Sequence, residues 1–366
     1  MKVLHFITVG FLVLAGNSLS YAAIRPSFNL DYSLWKATHI VLATEGNVID
    51  GHLKVIESWK GDLKPDSEII LPELATFSTG KSRQVHDLWK RKDLPKPFVR
   101  LVTGSKMVLF LVQSAKNRQK GLSDPNNCAW LPASYNGYGG FKVSVVWIEN
   151  GEAYAFRQIV NPGPSVLTHL STGIEMKSRV AAFNVIQTVH DNAVRDGDPV
   201  RAIQSFRACH RNKFHYAAGA NIESVGRMGI KALPILRQLL QDSTLQSWHP
   251  EIISSIVTAG GAKVAKDLTT IIEKQLEFFS RRAPDLKEGW WNAEPATERR
   301  ILREKYSIFL TALRELRPLR YPPSKDIVVK TRDLWRSNTI LSFNGRSQVL
   351  QACDAVLKEL SSLQQK

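Results

Sequence analysis

Up to about residue 165 the apolar residues of this chain come in short runs of β-branched and aromatic side chains broken by turn residues; beyond it they recur three and four positions apart. A period of two sends alternate side chains to opposite faces of a strand, whereas a period near 3.6 lines one side of a helix. The first half therefore predicts strands over 39–44, 53–59, 68–71, 107–113, 143–148 and 153–158. Asp50-Gly51 and Asn150-Gly151 supply the positive φ angles of tight hairpins, and Lys60-Gly61-Asp62 through Pro65-Asp66 reads as a further turn. Strands in succession with no long helix between them point to an antiparallel barrel or sandwich. Two stretches interrupt the pattern. One is a basic insertion over 77–100, with a short helical piece near His86 to Trp89; the other, over 117–140, is rich in Gly, Pro and Asn. Long loops in a small β domain carry either motion or function.

After Asn161-Pro-Gly-Pro164 the helical period persists to the end, over 174–193, 199–208, 218–228, 231–241, 250–259, 262–279, 297–316, 325–337 and 346–363. Asp198-Pro199 and Ser324-Lys325 have the form of helix starts, a short polar cap followed by a residue that begins a helix. Two segments repeat at an offset of 32 residues: Gly229-Ile-Lys-Ala232-x-Pro-x-Leu236-x-x-Leu239-Leu240 and Gly261-Ala-Lys-Val264-x-Lys-x-Leu268-x-x-Ile271-Ile272. Each follows an apolar helix. A helix, a glycine turn and a second helix whose leucines recur in register cannot bury its own apolar face and must stack on its neighbours. Over 218–280 this pattern resembles HEAT-like repeats of the armadillo type, whose second helix opens on Gly-x-x-Ala-x-Pro-x-Leu-x-x-Leu. Gly229 to Leu240 fits that phrase, and the second copy departs from it with Lys266 at the proline position. The resemblance implies an α-solenoid that serves as a scaffold or binding surface. In the β half, Leu53-Lys-Val-Ile-Glu-Ser-Trp59-Lys-Gly-Asp-Leu-Lys-Pro-Asp-Ser-Glu-Ile-Ile-Leu-Pro72 is similar to the barrel-like domains at the front of exported bacterial proteins, which implies a shape and no activity.

The first 22 residues set the address. One charge at Lys2, a mostly apolar run from Val3 to Gly16 and the small residues Ser20-Tyr21-Ala22 have the order of a secretory signal peptide cleaved before Ala23. That apolar run is shorter than the roughly 20 residues a membrane-spanning helix needs, and the mature chain has no other of that length. With no Asn-x-Ser/Thr sequon after the leader, the expected location is the bacterial periplasm or outside the cell. The expected organisation is a signal peptide over 1–22, a β domain over 23–165 carrying the insertion, and a helical HEAT-like domain over 166–366. The three cysteines, Cys128, Cys209 and Cys353, permit one bridge at most. Cys209 with Cys353 is the favoured pair, and buried thiols are the alternative.

Searches for chemistry give mostly negatives. Thr79-Gly80-Lys81-Ser82 mimics the end of a phosphate loop, but Ala75 stands where its first glycine is needed. Gly137-Tyr-Gly139-Gly140 lacks the third spaced glycine of a dinucleotide site. There is no Gly-x-Ser-x-Gly elbow and no His-Glu-x-x-His helix. Cys209, His210 and His215 are the weak candidates for a metal, although five residues on a helix separate the two imidazoles by more than a hundred degrees. No cofactor is implied.

The charge is the remaining signal: 49 Lys and Arg stand against 33 Asp and Glu, a formal net charge of +16. Basic runs in the helical half fall at Arg281-Arg282, at Arg299-Arg300 with Arg303 and Lys305, and at Arg314 with Arg317, interspersed with Glu298, Glu304 and Glu315. Arg and aromatic residues dominate binding interfaces. The expected contacts are therefore Trp89, Lys90 and Arg91 on the insertion, and Trp290, Trp291, Arg299 and Arg300 on the helical half. The sum is an exported, noncatalytic binding or scaffold protein whose partner is a protein or an anionic envelope polymer, not nucleic acid. The rivals are a hydrolase with a cleft between domains and a polyanion-binding surface protein. A histidine reaching both a carboxylate and a Ser or Cys in a deep pocket would favour the hydrolase.

Overall fold

The computed structural model describes residues 28–47, 52–71, 106–113, 130–133, 145–158, 165–286, 295–338, 341 and 348–363. The chain divides into two compact units, Met1–Val185 and Ile186–Lys366. The class is α+β, with a strand-rich first unit and a helical second one.

The first described element of this unit is helix α1 (Leu30–Lys36), capped by Asn29 Oδ1, which accepts from the Tyr32 amide at 3.0 Å. Among the described residues eight strands follow: β1 (His39–Asn47), β2 (His52–Lys60), β3 (Glu68–Ile70), β4 (Lys106–Gln113), β5 (Trp130–Pro132), β6 (Val145–Glu149), β7 (Glu152–Gln158) and β8 (Ser165–Thr172). All ladders are antiparallel, in the order β3-β2-β1-β4-β6-β7-β8. Strand β5 pairs β4 at Leu111 to Gln113, while β6 pairs it at Lys106 to Leu109. The run Met107-Val-Leu-Phe-Leu111 is buried at every position, as a central strand covered on both faces must be. On one face Val41, Leu53, Val55, Ile69, Leu109, Trp130, Val145 and Trp147 form the core. Phe110 carries Phe28, with ring centroids 5.4 Å apart, and Ser33 of α1 donates to the Ala133 carbonyl at 3.0 Å.

The expectation of a barrel or sandwich is corrected. Among the described residues the sheet is single and open, with β3 and β8 at its ends. A barrel requires its edge strands to pair, and here the three-residue β3 reaches only His52 to Lys54 of β2. Two helices also contact the sheet, α1 at β4 and the next helix at β2. The first part of α2 (Gly173–Asp196) is tied to β2: Lys177 pairs with Glu57, Asn184 Nδ2 donates to the Trp59 carbonyl at 2.7 Å, and Lys60 lies over the Phe183 ring. The Asn150-Gly151 hairpin is present with φ of 51° and 84°. The 50–51 turn and the segments over 77–100 and 117–129 lie outside the described residues.

The helical elements fall on the segments the period marks: α2, α3 (Pro199–Arg211), α4 (His215–Arg227), α5 (Leu233–Leu239), α6 (His249–Gly260), α7 (Ala265–Arg282), α8 (Ala296–Leu316), α9 (Lys325–Ser337) and α10 (Gln348–Leu363). Asp198 caps α3 as expected, accepting from the amides of Val200 and Arg201 at 3.0 and 3.1 Å. Ser324 does not cap α9. It lies in a 3₁₀ turn, with its hydroxyl donating to the Tyr321 carbonyl at 2.6 Å, so that helix is entered through the turn.

The two repeated segments share one local structure. Gly229 (φ 77°) and Gly261 (φ 53°) each turn the chain out of a helix, through a 3₁₀ turn, into the next helix. Left-handed backbone at these two places suits glycine. Ala232 and Val264 are fully buried at the equivalent turn, and so are Leu236 and Leu268 one helical turn on. Pro234 and Lys266 are both exposed, so the departure from the repeat phrase is tolerated because it faces water. Helices α4 and α6 meet closely: Ser255 donates to the Ile222 carbonyl at 3.0 Å, and a Cβ on Gly226 would lie 2.8 Å from the Ser255 carbonyl oxygen. Further along, Phe279, Phe309 and Trp335 bring α7, α8 and α9 into one aromatic core. Cys209 and Cys353 are fully buried and form no disulfide, so the favoured bridge is replaced by its alternative. Burial pushes the Cys353 thiol up to about 12, with Asp354 adding to it.

Candidate binding site

Trp89, Lys90 and Arg91, and likewise Trp290 and Trp291, lie outside the described residues. Arg299 and Arg300 lie in the first turns of α8, half-buried and exposed respectively. The acidic residues among these cations are engaged. Glu298 pairs with Arg282, Glu304 lies 4.0 Å from Arg300, and Glu315 accepts from Ser254 Oγ at 2.7 Å. The two ion pairs are partly exposed, and such pairs contribute about 0–1 kcal/mol.

The balance changes at the other end of α8. The helix gives way to a 3₁₀ turn, Arg317–Leu319, and then to Arg320 in the left-handed region at φ 48°, ψ 48°. Turning the chain there brings Arg314, Arg317 and Arg320 around one cleft of about 550 Å³, with Pro318 and with Glu359 from α10. Arg320 approaches Glu359 Oε2 through Nε (3.1 Å) and Nη2 (2.9 Å). Arg317 Nη2 lies 3.6 Å from Glu359 Oε1, and Arg314 donates to the neutral Gln348 Oε1 at 3.1 Å. Three guanidinium groups thus line a cleft with one carboxylate. The Arg314 and Arg317 pair was legible as two cations three residues apart. Arg320 and Glu359 carried no sequence signal, because α9 separates them along the chain.

A second cleft of about 350 Å³ is formed by α4, α6 and α8, lined by Gly219, Glu223, Glu251, Ser254, Thr258 and Thr311 among others. Glu223 pairs with Arg227. Glu251 sits at the exposed rim, yet enough protein surrounds its carboxyl for burial to raise its pKa, opposed by its own amide. The two clefts present opposite characters on neighbouring faces of α8: hydroxyls and carboxylates beside Thr311, arginines beyond Arg314.

The weak metal candidates are held apart by Trp248. Its Nε1 donates to His210 Nδ1 at 3.0 Å, the His215 ring stacks against it with centroids 6.2 Å apart, and Cys209 Sγ turns into the core toward Asn221 Nδ2. Among the described residues no group of three or more His, Cys, Asp and Glu could hold a metal ion. Two histidines meet hydroxyls. His190 Nε2 lies 2.7 Å from Ser224 Oγ, but that hydroxyl also donates to the Asn221 carbonyl, and no carboxylate bonds His190 among the described residues. His39 reaches both Asp62 (2.7 Å) and Thr38 (3.0 Å), yet the Thr38 hydroxyl is committed to the β4 backbone and Asp62 is 95% exposed. Neither set combines a hydroxyl nucleophile, a base and an orienting carboxylate in a deep pocket. Among the described residues no helix is long and apolar enough to cross a membrane. No protein-family model matches the chain, and neither a curated protein nor a solved structure gives a significant match.

Proposed function

We propose that the chain is an exported, noncatalytic binding or scaffold protein whose helical half is a HEAT-like stack that recognises a protein or an anionic envelope polymer. The observation that carries the reading is the repeated unit over 218–280, in which equivalent glycines turn and equivalent leucines are buried at an offset of 32 residues. The two units are also joined through both of their helices. Ser255 links the first helices, and Arg237 reaches Asp267 across the second helices through Nε (2.9 Å) and Nη2 (2.6 Å). Units that bury their apolar faces on one another leave long polar surfaces, and such surfaces bind. The signal-peptide pattern supports export to the periplasm or beyond. The two clefts that flank α8, one rich in hydroxyls and carboxylates and one in arginines, suit a partner bearing polar groups of both signs.

The test is affinity capture from a cell-envelope extract by the mature chain and two charge-reversed variants, Arg299→Glu with Arg300→Glu and Arg314→Glu with Arg317→Glu. A partner retained by the wild type and lost by the second pair supports the reading. Equal capture by all three proteins, or turnover of ester, amide or phosphoester substrates by the wild type, overturns it.

A further inference from the structure

We infer that the cleft at the end of α8 is a binding site for a doubly charged tetrahedral oxyanion of the phosphate type, held by Arg314, Arg317 and Arg320. The arithmetic of charge is the starting point. Among the described residues three guanidinium groups face one carboxylate, Glu359, so these groups carry two positive charges beyond those that acid neutralises. A phosphate dianion supplies that complement. The donors are in excess as well. Three guanidinium groups present roughly fifteen N–H donors in planar forks suited to phosphate oxygens, and the contacts within the cleft engage few of them.

Two features shape the cluster at this helix end. Cations near a helix C-terminus are favoured by the helix dipole, which accounts for Arg314 and Arg317 without a ligand. It does not account for Arg320, which holds a left-handed conformation (φ 48°) at a place where helix ends favour glycine. Lys213 (φ 59°) does the same just past α3, so the conformation places the Arg320 side chain at the cleft and does not by itself mark a site. The second feature is Glu359. It lies between Arg317 and Arg320 and accepts from Arg320 through one oxygen, so it occupies the position an incoming anion would take. It acts as an internal competitor: an oxyanion that enters must displace its hold on the two arginines.

The site gives the partner of the proposed binding protein a chemistry, but rests on that reading only for its biological use. The experiment is calorimetric titration of the full mature chain with inorganic phosphate and, separately, with long-chain polyphosphate, repeated on variants. The wild type is expected to give a saturable isotherm. Arg317→Ala is expected to weaken it tenfold or more, and Glu359→Gln to tighten it severalfold by removing the competitor. Arg320→Gly tests the strained position without endangering the fold, because glycine relieves the backbone there; it is expected to weaken the anion while leaving the melting temperature at or above that of the wild type. Saturation by both ligands assigns the group to free phosphate, and saturation by polyphosphate alone assigns it to a phosphate-bearing polymer. No isotherm with either ligand overturns the proposal, and so does a loss as large in Arg299→Ala with Arg300→Ala as in Arg317→Ala, which would mean general attraction to a basic protein. These titrations need no partner, so the site and the scaffold reading fail separately.

Discussion

A buried and a half-buried histidine oppose the folded state in acid. His190 is 3% exposed, and burial holds its pKa below the usual 6.5, with Asp191 and the Ala202 backbone pulling the other way. His249 is lowered by burial too, and Lys305 adds to it. A base whose folded pKa is depressed stays neutral in the native state while the unfolded chain takes up a proton, so the unfolded state gains as pH falls through 6.5. The loss of stability grows until the folded pKa is passed and then levels off. The wild type is expected to melt at a lower temperature at about pH 5.5 than at about pH 7.5, and His190→Gln to show a smaller difference between the two. An unchanged difference in that variant would remove His190 as the sensor. None of this was legible in the sequence, where the nine histidines look alike and burial is what separates them.

Elements were the most legible level, and helices more so than strands. A helix of the length of α3 or α9 repeats its pattern several times within its own residues, so the period marks it without reference to its neighbours. Lys325–Ser337 was recovered to the residue. The strands β5 and β8 and the seven-residue α1 were missed, because short segments give too few repeats of a period to stand out. Strand β8 follows Pro162-Gly-Pro164 and reads as connector until its pairing with β7 gives it a place. Helix starts are local as well. Asp198→Ala removes two capping bonds and is expected to lower stability by about 1 kcal/mol, read from chemical denaturation. A change near zero would mean that the Pro199 start is sufficient. The Ser324 reading failed because the same hydroxyl can serve a preceding turn, and only the backbone geometry tells the two apart.

Across the whole molecule, the repeat makes quantitative demands. Leu236 and Leu268 occupy equivalent, fully buried slots, so Leu236→Ala and Leu268→Ala are each expected to destabilise by about 2–5 kcal/mol and by similar amounts. Pro234→Lys, which copies Lys266 into the first unit at an exposed position, is expected to change stability by less than about 1 kcal/mol. Urea denaturation of the three variants checks both, and a leucine substitution without effect in one unit would break the equivalence. The sequence by itself determined the α+β division, the helical segments, the repeated glycine turns and the basic character of α8, because each is encoded in residues a few positions apart. Tertiary structure alone decided that the sheet is open among the described residues, that Cys209 and Cys353 remain unbridged, that Trp248 stands among the Cys209, His210 and His215 candidates, and that Arg320 and Glu359 join Arg314 and Arg317. Those outcomes depend on which distant surfaces meet when apolar faces are buried, and no local period records that.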